Sequence, residues 1–92
     1  MHRHDEIRRQ NDRIAAGARV HHFEDSRVPF LCECDNGACR EFISLHLPSF
    51  DAVREMRLFL VLPGHRLATG RCVMHEDGYE GHSPDLSEAA HA

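Results

Sequence analysis

The residues most able to do chemistry lie in Cys32-Glu33-Cys34-Asp35-Asn36-Gly37-Ala38-Cys39, a C-x-C-x4-C run. Asn36-Gly37 is a tight-turn signal, because glycine tolerates positive φ and asparagine nearly so. A turn there folds Cys39 back toward Cys32 and Cys34 and brings three thiolates within reach of one cation. Zinc takes four ligands in a tetrahedron, sulfur at about 2.3 Å and imidazole nitrogen at about 2.0–2.1 Å. A fourth ligand must therefore come from elsewhere. His65 follows Pro63-Gly64, a rigid-then-flexible pair that presents a side chain at a strand end, and it is the favoured candidate. Cys72 is the rival, chemically as good, but it falls inside an expected strand where a buried apolar cysteine is the ordinary explanation. The polar neighbours Glu33, Asp35 and Asn36 argue against a burial role for the three clustered cysteines. Cys32 and Cys34 are too close in sequence to pair easily as a disulfide.

These residues need elements to hold them. Asp5 to Ala18 reads as a helix with a thin apolar stripe of Ile7, Ile14, Ala15 and Ala18, ending near Gly17. Val28 to Leu31 is a short strand leading into the cysteines, with Pro29 pointing to an edge. Glu41 to Leu47 alternates, with Ile43, Leu45 and Leu47 on one face. A second helix over Ser49 to Arg57 buries Phe50, Val53 and Met56, and Phe59 to Leu62 is a buried strand stopped by Pro63-Gly64. Arg71 to His75 is a final strand, closed by the turn signal Glu76-Asp77-Gly78. The expected fold is α+β: one small domain over residues 7–79, an N-terminal helix plus a short antiparallel sheet with one central helix, stapled by a zinc knuckle. For His65 to return to the cysteines, Phe59–Leu62 must run antiparallel to Glu41–Leu47.

Residues 1–6 and 80–92 are too polar to bury much surface, so both ends are expected to be mobile. A folded part of about 70 residues gains only about 3–5 kcal/mol from its core, which makes a cross-link necessary. His2, His4, His82 and His91 are placed in the tails and His21-His22 in a linker, while His46 and His75 fall on polar strand faces. All are expected to be solvated. All 11 basic residues are arginine, against 15 acidic ones, and the net charge of −4 argues against a general nucleic-acid binder. No apolar run reaches the length of a membrane span. The N-terminus has no apolar signal segment, so a reducing cytoplasm is expected, where cysteines read as metal ligands before disulfides.

The strings C-E-C-D-N-G-A-C-R-E, F-D-A-V-R, F-L-V-L-P-G-H and H-E-D-G-Y-E resemble a family of short, mostly uncharacterised actinobacterial proteins, over about Arg8 to Tyr79. The resemblance implies that Cys32, Cys34, Cys39 and His65 form a Cys3His site, that Cys72 occupies an ordinarily aliphatic position, and that no activity is established. It also accords with the absence of lysine. Three thiolates and an imidazole would fill a zinc ion's coordination and make it a poor Lewis acid, and no nucleophile elbow, phosphate loop, H-E-x-x-H or zinc-deaminase pattern occurs. An enzyme is therefore not expected. The expected function is a structural-zinc module that binds another protein, as an interaction or regulatory adaptor. The alternative is a thiol-based or iron–sulfur sensor in transcription regulation; the iron–sulfur form requires Cys72 to join the other three cysteines.

Overall fold

Helix α1 (Arg3–Val20) carries Asp5 and Glu6 in its first turn and Arg19 in its last, charges that suit the helix dipole. The computed structural model describes residues 3–22, 25–68 and 70–84; His2 and His91, with residues 1 and 85–92 of the expected tails, lie outside them. The buried stripe of α1 is His4, Asn11, Ala15 and Ala18, at helical spacing, with Ile7 and Ile14 only partly covered. Two of those four are polar, which is why the apolar stripe looked thin. Gly17 does not end the helix. It sits on the open face, where an added Cβ would meet nothing outside the helix backbone, and the chain turns instead at His22, whose φ is 59°.

Strands β1 (Arg27–Leu31) and β2 (Phe42–His46) form an antiparallel pair in which Arg27 faces His46 and Leu31 faces Phe42. Val28, Phe30, Ile43 and Leu45 point inward, as the alternation requires. Phe30 stacks on Phe50 of the second helix with ring centroids 4.3 Å apart. Asn11 treats β1 as a strand neighbour would. Its amide donates to the Leu31 carbonyl and accepts from the Leu31 N–H, both at 2.8 Å.

Helix α2 (Leu47–Glu55) has Pro48 in its first turn and buries Leu47, Phe50 and Val53. Met56 is exposed rather than buried, because the helix has already ended. The Leu58 N–H reaches the Val53 carbonyl at 3.1 Å and the Arg57 N–H reaches Arg54 at 2.9 Å. This is a Schellman cap, and it places Arg57 at φ 59° in the left-handed region.

Strands β3 (Phe59–Val61), β4 (Arg71–Glu76) and β5 (Tyr79–Ser83) form a second antiparallel sheet in the order β3-β5-β4. The central strand, β5, went unrecognised in the sequence, and it carries structure past residue 79. Its Gly81 lies so close to Leu58 that a Cβ there would stand 2.8 Å from the Leu58 methyl. Ordered elements thus run from Arg3 to Ser83 and exceed the expected bounds at both ends. His4 and His82, placed in the tails by sequence, are buried. His4 meets Phe59 edge-on at 4.8 Å, and His82 sits opposite Phe59 in the sheet.

The chain is α+β, with two helices and two antiparallel sheets. β3 does not share one sheet with β2 as expected; it belongs to the other sheet and pairs with β5. The two sheets meet at the cysteine segment, where the Glu33 N–H donates to the Leu60 carbonyl at 2.7 Å. No helix among the described residues is long and apolar enough to cross a membrane.

A side chain in the left-handed region costs roughly 1–2 kcal/mol, partly offset in glycine by a more flexible unfolded chain. Arg57→Gly is therefore expected to stabilise the protein by up to about 1 kcal/mol. A rise in the urea midpoint at unchanged slope would show it; no change would mean that Arg57 holds its conformation without strain.

Candidate metal centre

Beyond Leu31 the extended backbone of β1 continues, so side chains keep alternating. Cys32 and Cys34 share one side and Glu33 takes the other. All three are buried, Glu33 completely. The chain then turns over Asn36–Cys39. The Cys39 N–H donates to the Asn36 carbonyl at 3.0 Å, and the Asn36 side-chain oxygen accepts from the Ala38 N–H at 3.0 Å. Asparagine makes this turn through its side chain, and Gly37 is not in the left-handed region as expected. Arg40 clamps the result from outside, donating to the carbonyls of Gly37 and Cys39.

A second turn brings the histidine. In Leu62-Pro63-Gly64-His65 the His65 N–H donates to the Leu62 carbonyl at 3.0 Å, and Gly64 has φ 86°. Proline sets the first corner and glycine supplies the positive φ of the second. His65 Nδ1 arrives 3.6 Å from Cys32 Sγ and 3.7 Å from Cys39 Sγ. One ligating atom from each of Cys32, Cys34, Cys39 and His65 lies within 4.8 Å of the others. A zinc tetrahedron with ordinary bond lengths has edges of about 3.5–3.8 Å between such atoms. The two His65–sulfur distances match such edges, and all four cysteines of the chain are free thiols.

Burial pushes the Cys32 thiol up to about 12, against the pull of the Leu62 N–H, which donates to its sulfur at 3.3 Å. A cation at this point would supply the missing counter-charge, and its binding would release thiol protons. The Leu62 N–H then stabilises the thiolate and fixes its orientation.

The acids between the cysteines were read from sequence as part of a polar loop. They are instead its moorings. Glu33 accepts from Asn11 Nδ2 at 2.7 Å, from the Leu60 N–H at 2.7 Å and from the Arg54 guanidinium. With its lone pairs so engaged it has no capacity as a general base. Arg54 also donates to Asp12 at 2.8 Å and to the Leu58 carbonyl, and stacks over Phe50. Burial alone would raise the Asp35 carboxyl, but the Ala68 N–H and His4 hold it below its ordinary value.

No protein-family model, curated protein or solved structure matches the chain. The site is therefore assigned from its own geometry. That geometry separates the two candidates for the fourth position. His65 joins the three cysteines, while Cys72 lies on β4, exposed, in a different group with Glu80 and His82. Cys72 is not the buried strand cysteine that was expected, nor is it placed to complete a four-cysteine cluster. Sequence reasoning missed Glu33, Arg54 and Asn11 as supports of the site, because each is a polar residue whose partner lies 20 or more positions away.

Removing one partner of a buried ion pair leaves the other uncompensated, at a cost of about 3–5 kcal/mol. Arg54→Leu is expected to cost that much in urea unfolding of metal-loaded protein, and adding Glu33→Gln is expected to restore part of it. If the double variant is no more stable than the single one, the Glu33 charge is not what Arg54 serves.

Proposed function

We propose that the protein is a structural-zinc module of a reducing, cytoplasmic environment that binds another protein, as an adaptor rather than an enzyme. The observation that carries this reading is the convergence of His65 Nδ1 on Cys32 and Cys39 at 3.6 and 3.7 Å. Three soft thiolates and one imidazole suit zinc, fill its tetrahedron and leave no place for a substrate or an activated water. Such an ion contributes folding energy rather than chemistry.

A docking face lies against the same site. Ile7 and Gln10 of α1, with Leu31 and Phe42, line a groove of about 490 Å³ whose far wall includes Cys32 and Cys39. Phe42 is 61 % exposed, a large apolar side chain with no burial role in the fold. The bound ion would hold the shape of this groove, coupling partner binding to metal content. The partner is a protein that lays an apolar side chain over Phe42; the net charge of −4 makes a nucleic acid a poor fit.

The metal assignment predicts tightly held zinc in protein purified without added metal. His65→Ala is expected to lose it or weaken its retention against a chelator at least about tenfold, an effect of ligand removal no smaller than that of outer-shell changes, whereas Cys72→Ala retains it. Retention unaltered by His65→Ala would refute the Cys3His set.

The docking assignment makes a separate prediction. Phe42→Ser is expected to leave metal content and thermal midpoint unchanged while abolishing capture of the partner by affinity purification from the native cell. A partner captured equally well by wild type and variant would move the docking face elsewhere.

A further inference from the structure

A second set of ligating side chains stands on the other sheet, and it does not depend on the zinc module proposed above. In the β4–β5 hairpin Cys72 is opposite His82 and His75 is opposite Glu80. Glu80 and His82, two apart, share a face. Cys72 and His75, three apart, would face opposite ways in a regular strand. The register shift between Cys72 and Met74 inserts the extra residue that brings them to the same side. Bulges of this kind re-aim side chains and are frequent beside functional sites.

The contacts are specific. His82 Nε2 is 2.9 Å from one oxygen of Glu80, and His75 Nδ1 is 2.8 Å from the other. The two histidines hold the Glu80 carboxyl below its ordinary value, the His82 contact contributing most. Ligating atoms of Cys72, Glu80 and His82 all lie within 4.8 Å of one another. His82 is only 4 % exposed, and its other ring nitrogen, Nδ1, is buried without a hydrogen-bond partner. Buried polar atoms are nearly always satisfied, and one left bare is costly. With Nε2 held by Glu80, Nδ1 is the ring nitrogen that the protein's own groups leave unfilled.

We propose that Cys72, Glu80 and His82 bind a second divalent transition-metal ion, zinc by donor type, with His75 orienting Glu80. A thiolate, a carboxylate and a neutral imidazole together balance a 2+ charge. The three leave one tetrahedral position open, unlike the four-ligand Cys3His group. Cys72, Glu80 and His82 line a cavity of about 370 Å³, which His65 and Arg66 also line. The two ligand groups are thus neighbours with contrasting character, one closed and one open.

The test is cobalt titration of the full-length, metal-free protein under reducing conditions, followed by dialysis and metal analysis. Wild type is expected to retain two ions per chain, the second adding a weaker thiolate-to-cobalt absorption band than the first. Cys72→Ala and Glu80→Gln, at exposed or partly exposed positions, are expected to retain one ion and lose that second band. Their far-ultraviolet circular dichroism should match wild type. Cys72→Ala and Glu80→Gln variants that retain as many ions as wild type would overturn the proposal, whatever the Cys3His group holds.

Discussion

A carboxylate with no contact with solvent sits between two cysteines, and much of the molecule is arranged to satisfy it. Burying an ionised Glu33 is tolerable only if its oxygens are filled by donors and its charge is met. Asn11 comes from α1, Arg54 from α2 and the Leu60 N–H from β3. Three elements far apart in sequence are pinned to one side chain. A buried ion pair is weak evidence of net stability, but it strongly penalises any arrangement in which one partner is missing. Here that penalty sets the register of the cysteine segment: with Glu33 held inward toward its donors, alternation sends Cys32 and Cys34 the other way.

The metal group then completes what the hydrophobic core begins. Phe30, Phe50, Leu60 and Val61 are fully buried, yet they belong to two separate small sheets and a helix. A two-stranded ribbon and a three-stranded sheet are each marginal alone. The turn bearing Cys39 and the turn bearing His65 connect them, across sequence separations of 26 to 33 residues between ligands. A cation there would close long loops in a chain too short to depend on apolar burial alone. The histidine-bearing turn borders both ligand groups, since Gly64, His65 and Arg66 also line the cavity beside Cys72 and His82.

Local signals were legible where they were enforced by local physics. Ile43 and Leu45 alternate because β2 has one covered face, and Pro63-Gly64 predicts a turn because φ at each position is restricted or freed by the residue itself. The cysteine cluster was legible for the same reason: a short polar turn between thiols leaves little room for other arrangements. Strand β5 was illegible. Tyr79-Glu80-Gly81-His82-Ser83 has no apolar alternation, and its glycine is required by the approach of Leu58 rather than by any turn. The burial of His4 follows from Phe59 and Asp35, and that of His82 from its central place in a sheet whose other strands come from earlier in the chain.

By itself, then, the sequence determined the kinds and order of the elements as far as β4, and a set of thiol and imidazole donors with a turn in their midst. These depend on backbone preferences and on contacts only a few residues long. Tertiary structure decided that His65 rather than Cys72 stands beside the three cysteines, that β3 pairs with β5 rather than sharing one sheet with β2, and that Glu33 is buried. Each of those outcomes rests on donors or packing surfaces 20 to 40 residues away, and a buried charge or a sheet partner has no signature until the chain has closed around it.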